Sequence, residues 1–481
     1  LPGTNVRIPE LSLGAIADSA GTFRFAIPPD SLTPVHHLTV QARRIGYAAQ
    51  TVDVHTGESV AVEFRMCPVQ MMLESVVVTG TARLSESITN TQHEGVDEGD
   101  IVKLRGDHLI ILRRGRLYTV AVNETRLEPI AAVNAFGPDI DGKNDWYDEI
   151  LTFEDKVIVI GYSYERGGTE IGVFHVDDRG RLRYLATYHL RSNDYYSSRN
   201  YASRLVGDKL VFYAPLSLPL DGDDPLAALP ALRRWDRRAG GGRFRRIAAV
   251  QHIYRAPFPV TLDAGLTMHT ITTCDLRAEN LTCDATVVLG PEGRVFYTSP
   301  TAVYVWTTRP GRAGPYKALV YRLPLDGGAP TALGVAGSPV DQFSFLESPD
   351  DHLNVVVRAD GAGDGMWASG ASAGSVALLR VSLGDFGDGT RSAPVRAYRS
   401  LPSPPESTET FENRFVGDHL LYGVGNGWGD AATISSTLYV VPWRGGRLTL
   451  VPLPHGVDRI EPMGRDAVVV GADTTDLHFS G

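Results

Sequence analysis

Short apolar runs, alternating or continuous, are separated along this chain by turns rich in Gly, Asp and Asn, and helical periodicity is absent from residues 1–80. From about residue 94 one unit recurs, a tight acidic turn followed by an apolar strand. It reads Gly106-Asp-His-Leu-Ile-Ile-Leu, Glu154-Asp-Lys-Val-Ile-Val-Ile, Gly207-Asp-Lys-Leu-Val-Phe-Tyr and Gly417-Asp-His-Leu-Leu-Tyr-Gly, with looser copies at Glu292-Gly-Arg-Val-Phe-Tyr, Asp350-Asp-His-Leu-Asn-Val and Arg465-Asp-Ala-Val-Val-Val. A further strand pair follows most turns, as at Arg116-Leu-Tyr-Thr-Val-Ala-Val and Thr437-Leu-Tyr-Val-Val.

The seven turns recur at intervals of 48 to 85 residues. A four-stranded blade of a β-propeller takes roughly 40–50 residues. The spacing therefore predicts an all-β chain with a propeller of seven or eight blades over residues 94–481. Residues 1–80 carry alternating strands at Asn5 to Ile8, Thr22 to Ile27, Leu38 to Ala42, Thr51 to Val54 and Ser59 to Met66, which predicts a small β-sandwich. Its expected core is Val6, Ile8, Phe23, Phe25, Leu38, Val40, Val52, Val60, Val62 and Phe64. Residues 81–93 read as a polar linker. The segment from Asp224 to Arg238 is expected to form a short helix on an inter-blade loop, with an arginine-rich face around Trp235 and Phe244 that most simply pairs with the acidic surface. Both ends of the chain read as cut short, the last residues lying inside the second strand of a blade.

Composition narrows the function. With 50 Gly and 30 Pro among 481 residues, turns dominate. A formal charge of −10 argues against nucleic acid as a partner, because phosphates meet a repulsive mean field. No apolar run of about 20 residues spans a bilayer. Among three cysteines, Cys274 and Cys283 flank a hairpin-like segment in which the thiols either face one another as a disulfide, implying an oxidising compartment, or pack as two small hydrophobes. The chain begins at Leu1 without an initiator Met, so a signal peptide or anchor is compatible with it.

Two resemblances add to this reading. Residues 1–80 resemble the carboxypeptidase regulatory-like domain through Ala15-Ile-Ala-Asp-Ser-Ala-Gly-Thr-Phe23, Arg44-Ile-Gly-Tyr47 and Leu73-Glu-Ser-Val-Val-Val-Thr-Gly80. That resemblance implies a non-catalytic accessory sandwich of secreted or envelope proteins; Leu73 to Gly80 is similar to the segment ahead of TonB-dependent receptor plugs. The rest resembles the β-propeller domain family of secreted prokaryotic proteins. Its opening signature, Asn-x-Gln-x-Glu-Gly-Val-Asp-Glu-x-Asp-Ile-Val-Lys, is matched by Asn90, Gln92, Glu94 to Glu98 and Asp100 to Lys103, with support from Val340-Asp-Gln-Phe343 and Arg414-Phe-Val-Gly-Asp418. His93 and Gly99 depart from the apolar or alanine residues of that pattern. The resemblance implies an extracellular, periplasmic or cell-surface protein and transfers no catalytic residue.

Four carboxylates in seven positions, Glu94, Asp97, Glu98 and Asp100, need either a positive group among them or backbone donors. If the register is shared, Asp148, Asp341 and Asp458 project toward the same axis. Calcium is the ion such oxygen ligands suit; the competing account has each aspartate accepting backbone N–H bonds, with Arg414 and Arg459 neutralising neighbours. Pro138-Asp-Ile-Asp-Gly-Lys-Asn-Asp145 is read as a turn and Gly370-Ala-Ser-Ala-Gly374 as a loop without a nucleophile.

Loop aromatics Trp146, Tyr147, Tyr195, Tyr196, Trp367 and Trp428 are expected to stack on sugars or peptides. The leading expectation is thus a non-catalytic binding scaffold with a protein or polysaccharide ligand on a propeller face. The alternatives are a metal-assisted hydrolase or lyase at the channel mouth, and an envelope assembly protein that docks through Leu73 to Gly80.

Overall fold

The computed structural model describes residues 4–8, 11, 13–18, 20–25, 27, 37–43, 50–55, 60–66, 93, 95–123, 126–143, 145–192, 202–217, 228–236, 238, 241–258, 260, 266–291, 293–308, 318–358, 375–404, 410–425, 436–472 and 476–481. The chain divides into two compact units, Leu1–Arg83 and Leu84–Gly481.

In the first unit one antiparallel sheet runs in the order Leu13–Ile16, Asn5–Ile8, His37–Arg43, Gln50–His55. Val6, Ile8, Leu38, Val40 and Ala42 are buried on one face, and Phe23, Phe25 and Phe64 pack against them. The expected strands at 22–27 and 59–66 are not strands among the described residues, and Val60, placed in the core by sequence, is 53% exposed. Alternation identifies a face but not a pairing partner, so these segments cover the core without joining a ladder. Leu73 to Gly80 and the linker, apart from His93, lie outside the described residues.

Seven sheets follow one another in the second unit among the described residues. In the first four, strand pairing begins with Val102–Arg105, Asp145–Phe153, Ala202–Val206 and Gly293–Thr298; in the last three it begins with Phe345–Ser348, Thr410–Val416 and Arg459–Met463. Each leading strand pairs antiparallel with the next strand in sequence.

Apolar side chains fill the space between consecutive sheets: Ile110, Leu117, Ile150 and Val159 between the first and second, Ile160, Phe212 and Met268 between the second and third, and Val211, Phe296 and Leu319 between the third and fourth. Tyr304, Phe345 and Val355 continue the series, followed by Val356, Phe411 and Tyr422, and finally Leu421, Val457 and Val469. Strands buried on both faces explain why so many read as continuous apolar runs.

The acidic turns fall between the first and second strands of six sheets. Gly106, Gly207 and Gly417 hold φ of 53°, 59° and 54°, and Glu154 takes 51° at the matching place. A two-residue hairpin loop needs this left-handed backbone, which glycine adopts without Cβ strain. The copy at Gly293 is the exception. It opens the leading strand of its sheet, and the turn there is Ser299-Pro-Thr301.

Ala231–Arg234, expected to be helical, is a strand that extends the second sheet by pairing with Leu182–Leu190. Arg245–Arg246 adds one strand more. Ladder pairing with the outer strand overrides the local preference. Leu477–Ser480 is the third strand of the last sheet, one later than expected.

Candidate functional site

The signature segment forms a strap over the inner edges of the sheets. Val96–Glu98 pairs antiparallel with Ala202–Val206, Glu98 lying opposite Arg204. Asp100 and Ile150 exchange backbone hydrogen bonds of 3.3 and 2.7 Å. At the other end His93 Nε2 lies 3.1 Å from the carbonyl oxygen of Glu347. The strap thereby touches the second, third and fifth sheets. A Cβ on Gly99 would lie 2.5 Å from Glu149 Oε2, so glycine at this departure from the family pattern is what allows strap and carboxylate to meet.

Charged side chains from the leading strands converge beneath it. Lys103 Nζ, with its side chain 1% exposed, donates to Asp97 Oδ1 at 2.7 Å and to the carbonyl oxygen of Glu98 at 2.5 Å. Arg204 approaches Glu98 at 3.6 Å and donates to Gln342 Oε1 at 2.8 Å. Ser203 donates to Glu149. Asn413 Nδ2 donates to Asp341 Oδ1 at 3.2 Å.

Burial, reinforced by the Asp148 charge, pushes the Glu149 carboxyl up to about 7. Burial and the charges of Asp341 and Asp458 push Glu412 to about 8. Burial also raises Asp341 to about 6 against several stabilising hydrogen bonds, and depresses Arg414 to about 10. Low polarity favours the neutral form of each group.

Arginines and a lysine stand among the expected acidic set. Asp97 is paired with Lys103 and Glu98 with Arg204. Asp100 Oδ1 accepts the Ile101 N–H at 2.6 Å, Asp341 Oδ1 the Phe343 N–H at 2.8 Å, and Asp458 Oδ2 the Ala472 N–H at 2.9 Å. Asp148 sits where the ladder register shifts between Tyr147 and Glu149. Glu94 lies outside the described residues. Among the described residues no group of three or more His, Cys, Asp or Glu gathers closely enough to hold a metal ion. Glu149, Glu412 and Arg204 were missed by sequence reasoning, although Glu149 stands beside Asp148 in the chain.

A pocket of about 390 Å³ opens on the rim that carries the second-to-third-strand turns and the sheet-to-sheet loops. Trp146, Tyr147 and Phe136 form its aromatic wall; Arg114, Gly115, Asp141, Gly142, Lys143 and Asp145 complete it. The rings of Phe136 and Tyr147 stack at 5.6 Å. Of the other aromatic candidates, Tyr195, Tyr196, Trp367 and Trp428 lie outside the described residues.

Behind the pocket is a buried polar row that the sequence reading did not single out. Tyr147, Gly161, Glu170, His189 and Arg233 are successive cross-strand neighbours on five strands. Tyr147 Oη donates to Glu170 Oε1 at 2.7 Å, Arg166 Nε to Glu170 Oε2 at 3.3 Å, and His189 Nε2 lies 3.0 Å from the same oxygen. Arg166 also pairs with Asp145. Burial pushes the Glu170 carboxyl up, but the His189 and Tyr147 hydrogen bonds and the Arg166 charge outweigh it and hold the carboxyl below its ordinary range. Burial lowers His189, which leaves a neutral imidazole beside an ionised Glu170. One signal was present in the sequence: an ionisable residue falls within an otherwise uncharged stretch of strand at Thr169-Glu170-Ile171 and again at Tyr188-His189-Leu190.

Cys274 and Cys283 are cross-strand partners joined by a disulfide, on the opposite rim. Asn280 between them is exposed and accepts a 2.8 Å hydrogen bond from Arg234.

No curated protein matches the chain. Among solved structures, the β-propeller domain of the Trilobed protease from Pyrococcus furiosus is similar at 8% identity, covering 70% of this chain and 93% of that one, with a TM-score of 0.26. A Synechocystis apocarotenoid oxygenase mutant is similar at 12% identity over 98% and 93% of the two chains, with a TM-score of 0.32, and Kluyveromyces lactis Hsv2 at 12% over 72% and 94%, with a TM-score of 0.24. The family model described as "Beta propeller domain" matches residues 86–396, which takes in the strap, the polar row and the pocket. The chain belongs to the beta propeller domain family.

Proposed function

We propose that this protein is a secreted or surface-attached, non-catalytic recognition scaffold: a seven-bladed propeller that binds a ligand on one rim, preceded by an accessory unit of the carboxypeptidase regulatory-like type. The observation that carries the reading is the pocket in which Trp146, Tyr147 and Phe136 meet. Concave sites with aromatic walls and a few polar groups are the usual form of small-ligand sites. The disulfide between Cys274 and Cys283 supports an oxidising, extracytoplasmic setting. Seven successive sheets among the described residues support the blade number.

The inner edges give a metal-assisted hydrolase less support. Lys103, Arg204 and Arg414 stand among the carboxylates there, and a cation would have to enter against those charges.

Saturation-transfer NMR with a panel of soluble oligosaccharides and short peptides tests the reading. At least one ligand is expected to bind saturably, to weaken ten-fold or more in Trp146→Ala, and to be recovered unchanged after incubation. Binding indifferent to Trp146→Ala, or turnover of the bound ligand, would remove the proposal.

A further inference from the structure

We propose that the Trp146–Tyr147 pocket takes an acidic sugar unit, a pyranose bearing one carboxylate, as part of an oligosaccharide. The inference rests on the functional reading above and adds the ligand class. Three features of the pocket carry it.

The first is a ring-sized floor left open by glycine. A Cβ built on Gly115 would lie 3.8 Å from Phe136 and 3.9 Å from Tyr147, ordinary contact distances, so the missing side chain is what exposes both stacked rings. A pyranose presents a C–H face that fits flat on such a surface. The floor is held in place from behind, since the Tyr147 hydroxyl is tied to the buried Glu170.

The second is the sign of the available charge. Asp145, whose side chain is 1% exposed, is matched by Arg166 and adds little charge at the opening. Arg114 and Lys143 are both exposed, and among the described residues neither side chain has a hydrogen-bond or ion-pair partner. Asp141 offsets one of these two cations. A single positive charge is left over, which suits a monoanion better than a phosphate dianion or a neutral ligand.

The third is an acceptor for hydroxyl groups. Asp141 Oδ1 accepts the Lys143 N–H at 3.1 Å, and Oδ2 is left to receive a sugar hydroxyl. Stacking face, surplus cation and carboxylate acceptor on one wall match the apolar face, the carboxylate and the hydroxyls of a uronic acid. A peptide C-terminus would use the cation and leave the ring floor and the acceptor unmatched.

The test is calorimetry on the full chain with three probes: a uronic-acid oligosaccharide, its methyl ester, and a short peptide with a free C-terminus. The acid is expected to bind at least ten-fold tighter than its ester. Lys143→Ala and Arg114→Asn, the latter keeping a residue that tolerates the left-handed backbone (φ 52°), should each bring the acid down toward the ester. Both positions are exposed, and unchanged thermal unfolding will confirm that the variants are folded. Equal binding of acid and ester at a site sensitive to Trp146→Ala would overturn the sugar-acid assignment while leaving the pocket as the recognition site. Preference for the peptide would overturn it in the same way. No binding of any probe, together with no hit in the wider panel, would remove both proposals.

Discussion

The hydroxyl of Tyr147 reaches the carboxylate of Glu170 at 2.7 Å although a whole strand lies between them, because the residue in that gap is Gly161. The tyrosine ring lies over the bare glycine backbone, and a buried acid two strands away thereby fixes the wall of a surface pocket.

A Cβ at position 161 would overlap the Trp146 carbonyl oxygen and stand 2.8 Å from Tyr147 Cδ1. Gly161→Ala is expected to destabilise the protein by about 2–3 kcal/mol through forced displacement of backbone. It should also abolish ligand binding. Tyr147→Phe, which keeps the ring and loses only the hydrogen bond, should cost less in chemical denaturation; equal losses would mean that the Gly161 contact does not set the geometry.

The strap depends on the ion pair between Lys103 and Asp97. Asp97→Asn leaves a buried ammonium with reduced compensation and is expected to cost on the order of 3 kcal/mol. Lys103→Met replaces the charge with an apolar chain of similar length and should cost less. The double variant should fall short of the sum of the two, read as a coupling energy in urea unfolding.

Stability should decline with rising pH across the weakly acid to neutral range. The native state holds Glu412 protonated up to about 8 and Glu149 up to about 7, against ordinary values of 4.5, so it binds protons that the unfolded chain has already released. Folding free energy is therefore greatest below about pH 4.5 as far as these groups are concerned, and it is lost as pH rises through their native values. Glu412→Gln should flatten the fall between pH 6 and 8 by about 1.4 kcal/mol per pH unit. An unchanged slope would show that Glu412 ionises normally.

Removing the Cys274–Cys283 disulfide, which closes a loop of sequence separation 9, is expected to cost roughly 2–3 kcal/mol. A Cys274→Ala, Cys283→Ala pair measured against the oxidised wild type reads this directly. The same pair should leave pocket binding unchanged, since the bridge lies on the opposite rim.

Much was legible without coordinates. Repeating turn-then-strand units fixed the all-β class and the repeat, because a two-residue turn demands left-handed backbone and a doubly buried strand demands continuous apolar residues. Glycine at 106, 207 and 417 carries that requirement in its own chemistry. The strand and turn pattern could not, however, place Gly293, which shares the motif's letters and opens a strand, nor Ala231–Arg234, whose partner strand lies some forty residues earlier in the chain.

Sequence alone determined most of the propeller's strands and turns and where the carboxylates lie along the chain, since those follow from side-chain volume, backbone freedom and charge. Only the tertiary structure decided what the carboxylates do. Asp97 pairs with Lys103 six residues on, and Asp100 and Asp341 accept N–H groups one and two residues away, but Glu149 meets Ser203 across 54 residues and Arg204 meets Gln342 across 138. Such pairings are set by which strands become neighbours, and burial then shifts the protonation of Glu149, Asp341 and Glu412 in ways that no local pattern encodes.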